Sequence, residues 1–403
     1  MKLQIVFYKN KHFRKMVGGL EIRRVSILGL VILLLLTSIN HLQVAAPDLI
    51  QLTEHSPISI NGNGKLQNVA ESEGWLGTGT EESPIVISNL NISSESYGIK
   101  ISNVDLCLRI ENCYISKVEM STHSRFGILL ENCTRASVQD CVIVEHEFGI
   151  CLTNSDGAVV NRTEIYDSFF GVFANWSSHV WLHSLDIVMC KIGVRLNHTV
   201  HAYVDQTIID HCEYAGIEGI CDSGTLLRHN SIIGSEVGIT WAANTDWVIE
   251  ESMIWSCENG LVAYHTNGGF LIESWIKDCS ILGIVLGSLS YNISITGNLF
   301  GPNNTQNALD DGEANWWYDE YSQLGNYWSD YSGDGPYTIP GSAGSVDLYA
   351  ASLEEAPNWE DETTAETTNA TDNPFSDQIL MIAVVAAIVI LLASMAMFRS
   401  RVT

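Results

Sequence analysis

The sequence predicts an all-β fold, a right-handed parallel β-helix built from rungs of about 22 residues. A glycine recurs at intervals of 22 or 23 residues after a first interval of 29, and an aliphatic residue follows each glycine directly. These glycines are Gly98, Gly127, Gly149, Gly171, Gly193, Gly216, Gly238, Gly260 and Gly283. A second aliphatic column lies near the end of each unit: Ile115, Ile143, Ile165, Ile187, Ile209, Ile232, Ile254, Ile276 and Leu299. No helical period is present within a unit, which excludes leucine-rich and helical repeats.

Each unit is long enough for three short strands separated by turns. Coiling such units places each strand about 4.8 Å from its copy in the next rung, so equivalent side chains form ladders. Glycine recurs either where the chain takes a positive φ or where there is no room for a Cβ atom. Asparagine follows the glycine after four or five residues and can bond along stacked turns; it does so at Asn103, Asn132, Asn154, Asn175 and Asn197.

The N-terminus has the organisation of a secretory signal peptide. Residues 1–25 carry seven Lys or Arg, residues 25–37 are predominantly apolar, and Val44-Ala45-Ala46 precedes Pro47. We therefore predict a cleaved signal peptide over residues 1–46, with an uncleaved membrane anchor as the alternative. The sequence leaves open whether translation starts at Met1 or at Met16.

The C-terminus predicts a single transmembrane helix. Residues 378–398 carry no charged side chain and are long enough to cross a bilayer. Arg399 and Arg401 follow directly, which places residues 399–403 in the cytoplasm. Residues 354–377 are rich in Glu, Thr, Asn and Asp, a composition typical of a flexible stalk. The predicted localisation is therefore a single-pass cell-membrane protein with an extracellular ectodomain.

Residues 98–301 form the predicted β-helix. Residues 47–97 and 302–353 are its predicted N- and C-terminal caps, because uncovered strand edges would pair with other chains.

Residues 47–377 contain 11 Lys or Arg and 46 Asp or Glu, so their net charge is 11 − 46 = −35. A surface this acidic repels nucleic acid and attracts divalent cations or cationic partners. Solubility alone is the simpler explanation of this charge.

All ten cysteines lie in this predicted exterior segment, where disulfides can form. Four of them, Cys190, Cys212, Cys257 and Cys279, each follow a repeat glycine by nineteen residues. Cys190–Cys212 and Cys257–Cys279 are therefore candidate disulfides, and an unbonded ladder of thiols fits the same spacing. Eight Asn-x-Ser/Thr sequons are candidate N-glycosylation sites: Asn91, Asn132, Asn161, Asn175, Asn197, Asn292, Asn303 and Asn369.

The two ends of the repeat resemble the NosD-like right-handed β-helix family, whose repeats are also described as carbohydrate-binding and sugar-hydrolase repeats. The residues that carry the resemblance are His55–Asn63, Gly74–Thr80 and Pro84–Ile87 at the opening, and Gly325–Tyr331, Pro336–Pro340 and Val346–Tyr349 at the close. The resemblance covers residues 55–350 and implies a periplasmic or surface β-helix. Members usually carry a longer acidic Asp-Gly stretch where this chain has only Ser329–Gly335, so the resemblance implies the fold and leaves the activity open.

One acidic turn is a candidate calcium site. Asp330, Ser332 and Asp334 place oxygen atoms at alternate positions ahead of Gly335, which is how short loops wrap a structural calcium ion. No acidic residue stands at the twelfth position of such a loop, which is Gly341. An acidic cap turn without a metal is the alternative.

A pair of histidines is the second candidate metal site. His179 and His201 both lie eight residues after their glycines, hence in adjacent rungs, and His183 lies over Asp205 in the same manner. Stacked imidazoles are suited to copper or zinc. The best-known branch of the family helps deliver copper to a periplasmic enzyme, which suggests the same metal here, but resemblance of the repeat scaffold does not transfer that role. Polar residues on an exposed strand face, without a metal, are the alternative.

Aromatic residues on predicted strands are the candidate carbohydrate-binding residues: Trp181, Tyr203, Trp255 and Trp275. Some of them should point outward, because their neighbours fill the aliphatic columns, and a line of exposed rings is a platform for sugar rings. Trp247 is expected either in this line or in the core.

Catalysis would need carboxylates that converge on one groove. Polygalacturonase-like enzymes of this architecture carry Asn-Thr-Asp, Asp-Asp and Gly-His-Gly on successive rungs. Here Asn154-Ser155-Asp156 resembles the first, but neither of the others follows. The sequence therefore favours a non-catalytic surface scaffold that binds carbohydrate or protein. A polysaccharide lyase or glycoside hydrolase and a metal-handling accessory protein are the alternatives.

Overall fold

The computed structural model describes residues 52–118 and 125–357 and places them in a right-handed parallel β-solenoid of about 12 turns. The predicted all-β fold is confirmed for these residues. The predicted signal peptide (1–46), transmembrane helix (378–398) and tail (399–403), most of the stalk (354–377) and the sequon at Asn369 lie outside them. None of the helices in the described ranges combines the length and apolar character needed to cross a bilayer.

All the described strands except β34 and β35 belong to three parallel sheets, here called sheets I, II and III. Each complete turn contributes one strand to each sheet. Sheet I contains β1 (Thr53–Glu54), β4 (Leu90–Ser94), β7 (Tyr114–Lys117), β10 (Val142–Val144), β13 (Glu164–Tyr166), β16 (Asp186–Val188), β19 (Ile208–Asp210), β22 (Ser231–Ile233), β25 (Met253–Trp255), β28 (Trp275–Lys277), β31 (Leu299–Phe300), β33 (Tyr327–Trp328) and β36 (Ala351–Ser352). Sheet II contains β2 (Ile58–Asn61), β5 (Tyr97–Val104), β8 (Phe126–Cys133), β11 (Phe148–Thr153), β14 (Phe170–Asn175), β17 (Ile192–Asn197), β20 (Ala215–Ile220), β23 (Val237–Ala242), β26 (Asn259–Tyr264), β29 (Leu282–Leu286) and β32 (Gln306–Asp310). Sheet III contains β3 (Ile85–Ser88), β6 (Leu108–Glu111), β9 (Ala136–Gln139), β12 (Val159–Asn161), β15 (Trp181–His183), β18 (Tyr203–Asp205), β21 (Leu226–Arg228), β24 (Thr245–Glu250), β27 (Asn267–Ile272) and β30 (Tyr291–Thr296).

Four further elements lie in the terminal segments. Helix α1 (Asn63–Glu73) follows β2 and ends at Gly74, which has φ 71°. Strands β34 (Tyr337–Thr338) and β35 (Val346–Asp347) form an antiparallel pair. A 3₁₀ helix over Leu353–Glu355 ends the described chain.

The two aliphatic columns predicted from the sequence are ladders inside the solenoid. In sheet I the register pairs Ile187 with Ile209 and Ile209 with Ile232, and all three side chains are fully buried. The column ends one residue away from its predicted position, because Ile276 pairs with Phe300 while Leu299 pairs with Trp275. Stacked, buried side chains of this kind supply the main stabilisation of the repeat.

The repeat glycines are required by close packing rather than by a positive φ. A Cβ atom on Gly149 would lie 2.6 Å from the backbone oxygen of Gly171 and 2.6 Å from Cγ2 of Ile165. Gly171 meets the equivalent atoms of Gly193 and Ile187 at 2.5 and 2.6 Å. Any larger residue would therefore separate adjacent rungs, which explains why the glycine recurs in every unit.

Left-handed residues form the turns between strands, as the recurring asparagines predict. Asn103, Asn132 and Asn154 have φ values of 56°, 52° and 47°. The amide of Asn132 donates to Oδ1 of Asn103 at 2.9 Å, which confirms the predicted bonding along stacked turns. In the next two rungs Asn175 and Asn197 are the last residues of their strands. The left-handed residue there is the one that follows, Trp176 or His198.

The cysteines are mostly buried and form no disulfide. Nine of the ten are buried, Cys221 is exposed, and all ten are unbonded. The predicted disulfides Cys190–Cys212 and Cys257–Cys279 are therefore absent from the structure, and the unbonded alternative describes these residues. A hydrogen bond with the neighbouring Cys190 thiol and burial both raise the pKa of Cys212. Burial raises the pKa of Cys279 to about 12.

Thiol reactivity is expected to follow this burial. Because the thiolate is the reactive species, the native protein should react with a thiol reagent at Cys221 alone, and all ten cysteines should react after unfolding. Titration with a chromogenic disulfide before and after denaturation measures both numbers. A total that falls short by two or four thiols would show that disulfides form, and peptide mapping would show whether they are Cys190–Cys212 and Cys257–Cys279.

Polar side chains form a second inward ladder where sheet II turns into sheet III. Each accepts a backbone N–H from the rung below: Ser177 Oγ from Ser155 at 2.9 Å, Asp222 Oδ1 from Thr199 at 2.7 Å, and Asn244 Oδ1 from Asp222 at 3.0 Å. Asp222 is the carboxylate in this series and is 2% exposed. Burial raises the pKa of Asp222 from 3.8 to about 6, although the amide and hydroxyl of Thr199 favour its ionised form.

Near pH 7 Asp222 is ionised, and the rise of its pKa from 3.8 to about 6 reflects the cost of burying that charge. Asn carries no charge. Replacing Asp222 by Asn is therefore expected to raise the free energy of unfolding near pH 7 by about 3 kcal/mol, at about 1.4 kcal/mol for each pKa unit. The folded wild type binds more protons at Asp222 than the unfolded chain between pH 3.8 and about 6. The stability that this group contributes therefore falls as the pH rises through that window. Urea unfolding of both proteins near pH 4 and pH 7 measures the difference. An equal difference at the two pH values would contradict the assignment.

The solenoid continues into both predicted cap segments. In residues 47–97, β1 to β4 join the sheets, and α1 buries Leu66 and Ala70 against the first rung. In residues 302–353, β32, β33 and β36 extend sheets I and II, so the absence of the sequence repeat there does not end the fold. Trp328 stacks on Phe300 with ring centroids 4.5 Å apart and closes the core at this end.

Candidate functional site

The outer face of sheet III combines exposed aromatic residues with a charged network. Trp181 in β15 is 49% exposed and lies edge-on to Tyr203 in β18, with ring centroids 5.6 Å apart at 80°. The register pairs Trp181 with Tyr203 and His183 with Asp205. The predicted position of His183 over Asp205 on adjacent rungs is therefore confirmed.

Asp205 is the centre of the charged network. Its side chain is 10% exposed and lies between two imidazoles, with Nδ1 of His183 3.0 Å from Oδ2 and Nδ1 of His229 3.1 Å from Oδ1. The other ring nitrogen of His229 lies 2.8 Å from Oε2 of Glu251. Arg228 completes the network through Nε and Nη2, each 2.8 Å from the same Glu251 oxygen. Ion pairs in this partly exposed setting fix side-chain orientation more than they stabilise the fold.

The local backbone explains how these residues meet. Arg228 pairs directly with Asp205 in the sheet register, and His229 follows it with φ 52°, a left-handed turn position. Histidine adopts that conformation more readily than most residues. The turn directs the imidazole back towards Asp205 in the preceding rung. Burial, and then the Asp205 carboxylate, raise the pKa of Tyr203, so its phenol remains a neutral hydrogen-bond donor at neutral pH.

Four residues of this network were not identified from the sequence: Arg228, His229, Glu250 and Glu251. A signal was available, because Arg228 follows Asp205 by 23 residues and Glu250 follows Arg228 by 22, the same intervals that separate the repeat glycines. Projecting Asp205 forward through the repeat would have placed both residues on the same face.

The other two candidate carbohydrate-binding residues lie on a different face. Trp255 and Trp275 belong to sheet I, where Nζ of Lys277 lies 5.5 Å and 3.7 Å from their ring centroids. Trp275 also donates its indole N–H to the backbone oxygen of Gly301 at 2.7 Å. The single line of aromatic rings expected from the sequence is therefore divided between two sheets. Trp247 is fully buried and belongs to the core.

The candidate copper or zinc pair lies at the turn between sheets II and III. The rings of His179 and His201 have centroids 5.4 Å apart at 46°, which confirms that they occupy adjacent rungs. In the next rung the equivalent position is Gly224, whose Cβ atom would lie 2.3 Å from Nδ1 of His201. Across residues 52–118 and 125–357, no three or more His, Cys, Asp or Glu side chains are grouped so as to hold a metal ion.

The candidate calcium residues lie at the surface of the C-terminal segment. Oδ1 of Asp330 accepts the Asn307 amide at 2.8 Å and the Tyr337 hydroxyl at 3.1 Å, so this carboxylate ties the turn to β32 and β34. Ser332 and Asp334 are exposed. The turn therefore has a structural role through Asp330 that does not depend on a metal.

Two stacked carboxylates lie on the outer face of sheet I. The register pairs Glu164 with Asp186, and the Tyr166 hydroxyl donates to Glu164 at 2.5 Å. Burial, and then the charges of Glu164 and Asp210, raise the pKa of Asp186 to about 6. A carboxylate of raised pKa beside a second carboxylate on the neighbouring rung is the kind of pair that acid–base chemistry uses.

Seven of the eight sequons lie in the described residues. Their asparagines differ in exposure: Asn132, Asn292 and Asn303 are exposed, and Asn91, Asn161, Asn175 and Asn197 are half-buried. Among the half-buried group, Asn197 donates its amide to Oδ1 of Asn175 at 2.7 Å, a bond that a glycan on Asn197 would disturb. The exposed three are the sites most accessible to modification.

Comparison with known families identifies the repeat. A family model described as "Periplasmic copper-binding protein (NosD)" matches residues 148–333, and one described as "Right handed beta helix region" matches residues 76–184. The chain belongs to the NosD-like right-handed β-helix family. The first match contains the whole network around Asp205.

Solved structures of similar fold include both enzymes and an adhesin. The periplasmic alginate epimerase AlgG aligns at 10% identity over 75% of this chain and 85% of that chain, with a TM-score of 0.46. PfbA, a surface adhesin of Streptococcus pneumoniae, aligns at 9% identity over 71% and 93%, with a TM-score of 0.44. A lacto-N-biosidase from Eubacterium ramulus aligns at 10% identity over 66% and 60%, with a TM-score of 0.43. These likenesses concern the fold alone. No curated protein sequence matches the chain.

Proposed function

We propose that the chain is a non-catalytic surface protein that binds carbohydrate on the outer face of sheet III. The observation that carries this proposal is Trp181, whose half-exposed indole lies beside Tyr203 and the network around Asp205. A sugar ring offers an apolar C–H face and a rim of hydroxyls. An exposed aromatic ring next to fixed donors and acceptors is complementary to both.

The proposed location is the outer face of a cell membrane. The basic and apolar N-terminus, the apolar residues 378–398 and the two arginines that follow them support export and a single C-terminal anchor. The solenoid would then act as a rigid support for the sheet III face outside the cell.

Replacing Trp181 by Ala is expected to weaken glycan binding about tenfold or more, because it removes the exposed ring against which the sugar packs. The purified full-length chain would be screened on a glycan array, and affinities for the glycans retained would be measured by calorimetry. Tyr264→Ala is the matched control, since Tyr264 is also 49% exposed but belongs to sheet II. Glycan binding that Trp181→Ala leaves unchanged, or no glycan binding at all, would contradict the proposal.

A polysaccharide lyase or glycoside hydrolase is the second candidate function, and the stacked pair of Glu164 and Asp186 favours it. Digestion assays on the same polysaccharides would detect it as new reducing ends or unsaturated sugars. Asp186→Asn should abolish any such product, because the amide cannot donate or accept the proton. Product that persists in this variant would exclude the pair as the catalytic site.

A copper-handling role is the third candidate and is supported by the family description. The two imidazoles of His179 and His201 are the residues that would take part. Copper usually requires more protein ligands than two. Copper titration of the wild type and of a His179→Ala, His201→Ala double variant tests this role directly.

A further inference from the structure

The sheet III face consists of two parallel columns of side chains, an apolar one and a polar one. The apolar column occupies equivalent positions on six successive rungs: Val159, Trp181, Tyr203, Leu226, Val248 and Phe270. The polar column lies two residues further along the same strands: Asn161, His183, Asp205, Arg228 and Glu250. Successive members of a column are about 4.8 Å apart along the solenoid axis.

This arrangement has a direction. Trp181 and Phe270, each 49% exposed, lie four rungs apart in the apolar column, a distance of about 19 Å. Between them Tyr203, Leu226 and Val248 are half-buried and form a continuous apolar strip. A ligand that contacts both exposed rings must therefore extend along the axis and not across the strands.

The charge of the face restricts the ligand further. Among the sheet III strands from β12 to β27, Arg228 is the one Lys or Arg residue. Its guanidinium is already occupied, since Nε lies 3.3 Å from Glu250 and Nη2 lies 2.8 Å from Glu251. The face therefore has carboxylates at Asp205, Glu250 and Glu251 and no unpaired guanidinium or ammonium group to meet an anionic sugar. Placing like charges together disfavours binding at an interface.

We infer that this face binds a polysaccharide without carboxylate or sulfate groups and aligns it along the solenoid axis, over the rungs from Val159 to Phe270. The inference rests on the proposed carbohydrate function and adds the charge class and the direction of the ligand. Ring faces would pack on the apolar column, while hydroxyls on one edge of the chain would reach the polar column. An extended glycan suits this geometry because its repeat is comparable to the rung spacing.

The test uses the full-length chain and two series of oligosaccharides, each from two to eight sugars long. The neutral series comprises cello-, manno- and chito-oligosaccharides, and the anionic series comprises oligogalacturonates. Affinity for the neutral series should rise with length until the ligand reaches Phe270. Trp181→Ala should weaken binding at every length. The loss of affinity caused by Phe270→Ala should grow with the length of the oligosaccharide and reach about tenfold with six or more sugars.

A second variant tests the charge argument. Glu250→Gln combined with Glu251→Gln frees Arg228, and we expect it to bind oligogalacturonates at least about tenfold more tightly than the wild type does. Neutral binding that is insensitive to Phe270→Ala at all lengths would overturn the axial alignment. Oligogalacturonates that bind the wild type as tightly as neutral chains would overturn the charge selection. Both of these results would still leave Trp181-dependent glycan binding, and hence the proposed function, in place. No Trp181-dependent binding in either series would overturn both.

Discussion

Replacing Ile209 by Asn is expected to lower the free energy of unfolding by about 4 kcal/mol or more, since a buried aliphatic side chain is lost and an amide is buried without a partner. Ile209 is 0% exposed and stacks between Ile187 and Ile232 in the sheet I ladder. Each rung is stabilised by packing and strand pairing with the rungs on either side, so the defect should extend to its neighbours. Urea unfolding followed by far-UV circular dichroism measures the effect.

The neighbouring residue provides a matched control. Ile208 lies in the same strand, faces outward and is half-buried. Ile208→Asn should therefore change the free energy of unfolding by less than about 1 kcal/mol. Similar unfolding curves for the two variants would mean that the inward and outward faces of sheet I have been assigned the wrong way round.

The repeat could be predicted from the sequence because its constraints act on every rung. The contact of Gly149 with Gly171 and Ile165 recurs with the same geometry in the following rung, so the same residue types recur at the same interval. Helix α1 and the C-terminal segment could not be predicted in this way, since each occurs once. Their stability depends on particular contacts, such as Leu66 against the first rung, that leave no periodic pattern.

The functional face could be predicted in part. Trp181 and Tyr203 both lie ten residues after their repeat glycines, whereas Trp255 and Trp275 follow theirs by 17 and 15 residues. That offset decides which sheet a residue joins, so the division of the aromatic residues between sheets I and III was readable from the sequence. The position of His229 was not, because it depends on a left-handed turn at φ 52° that many residue types can form.

The C-terminal end of the solenoid contains two fully buried carboxylates, Asp310 and Asp347, and Asp310 connects three of its parts. Asp310 is 0% exposed and accepts four hydrogen bonds. The donors are the backbone N–H of Gly312 at 2.9 Å, Nδ2 of Asn315 at 3.0 Å, Nε1 of Trp317 at 2.9 Å and Oγ of Ser345 at 2.8 Å. This single side chain therefore holds the last strand of sheet II, the buried Trp317 and the segment before β35 together.

Replacing Asp310 by Ala is expected to lower the free energy of unfolding by about 3 kcal/mol or more, because the Trp317 indole and the other donors would remain buried without an acceptor. Asp311→Ala is the matched control. Asp311 also accepts two hydrogen bonds, from the amide and hydroxyl of Ser342 at 2.7 and 2.9 Å, but it is exposed, so water can replace its oxygen atoms. Thermal unfolding and hydrogen exchange of residues 306–352 would compare the two variants. If Asp310→Ala cost no more stability than Asp311→Ala, the C-terminal cap would be held by the packing of Trp317 and Trp328 rather than by the carboxylate.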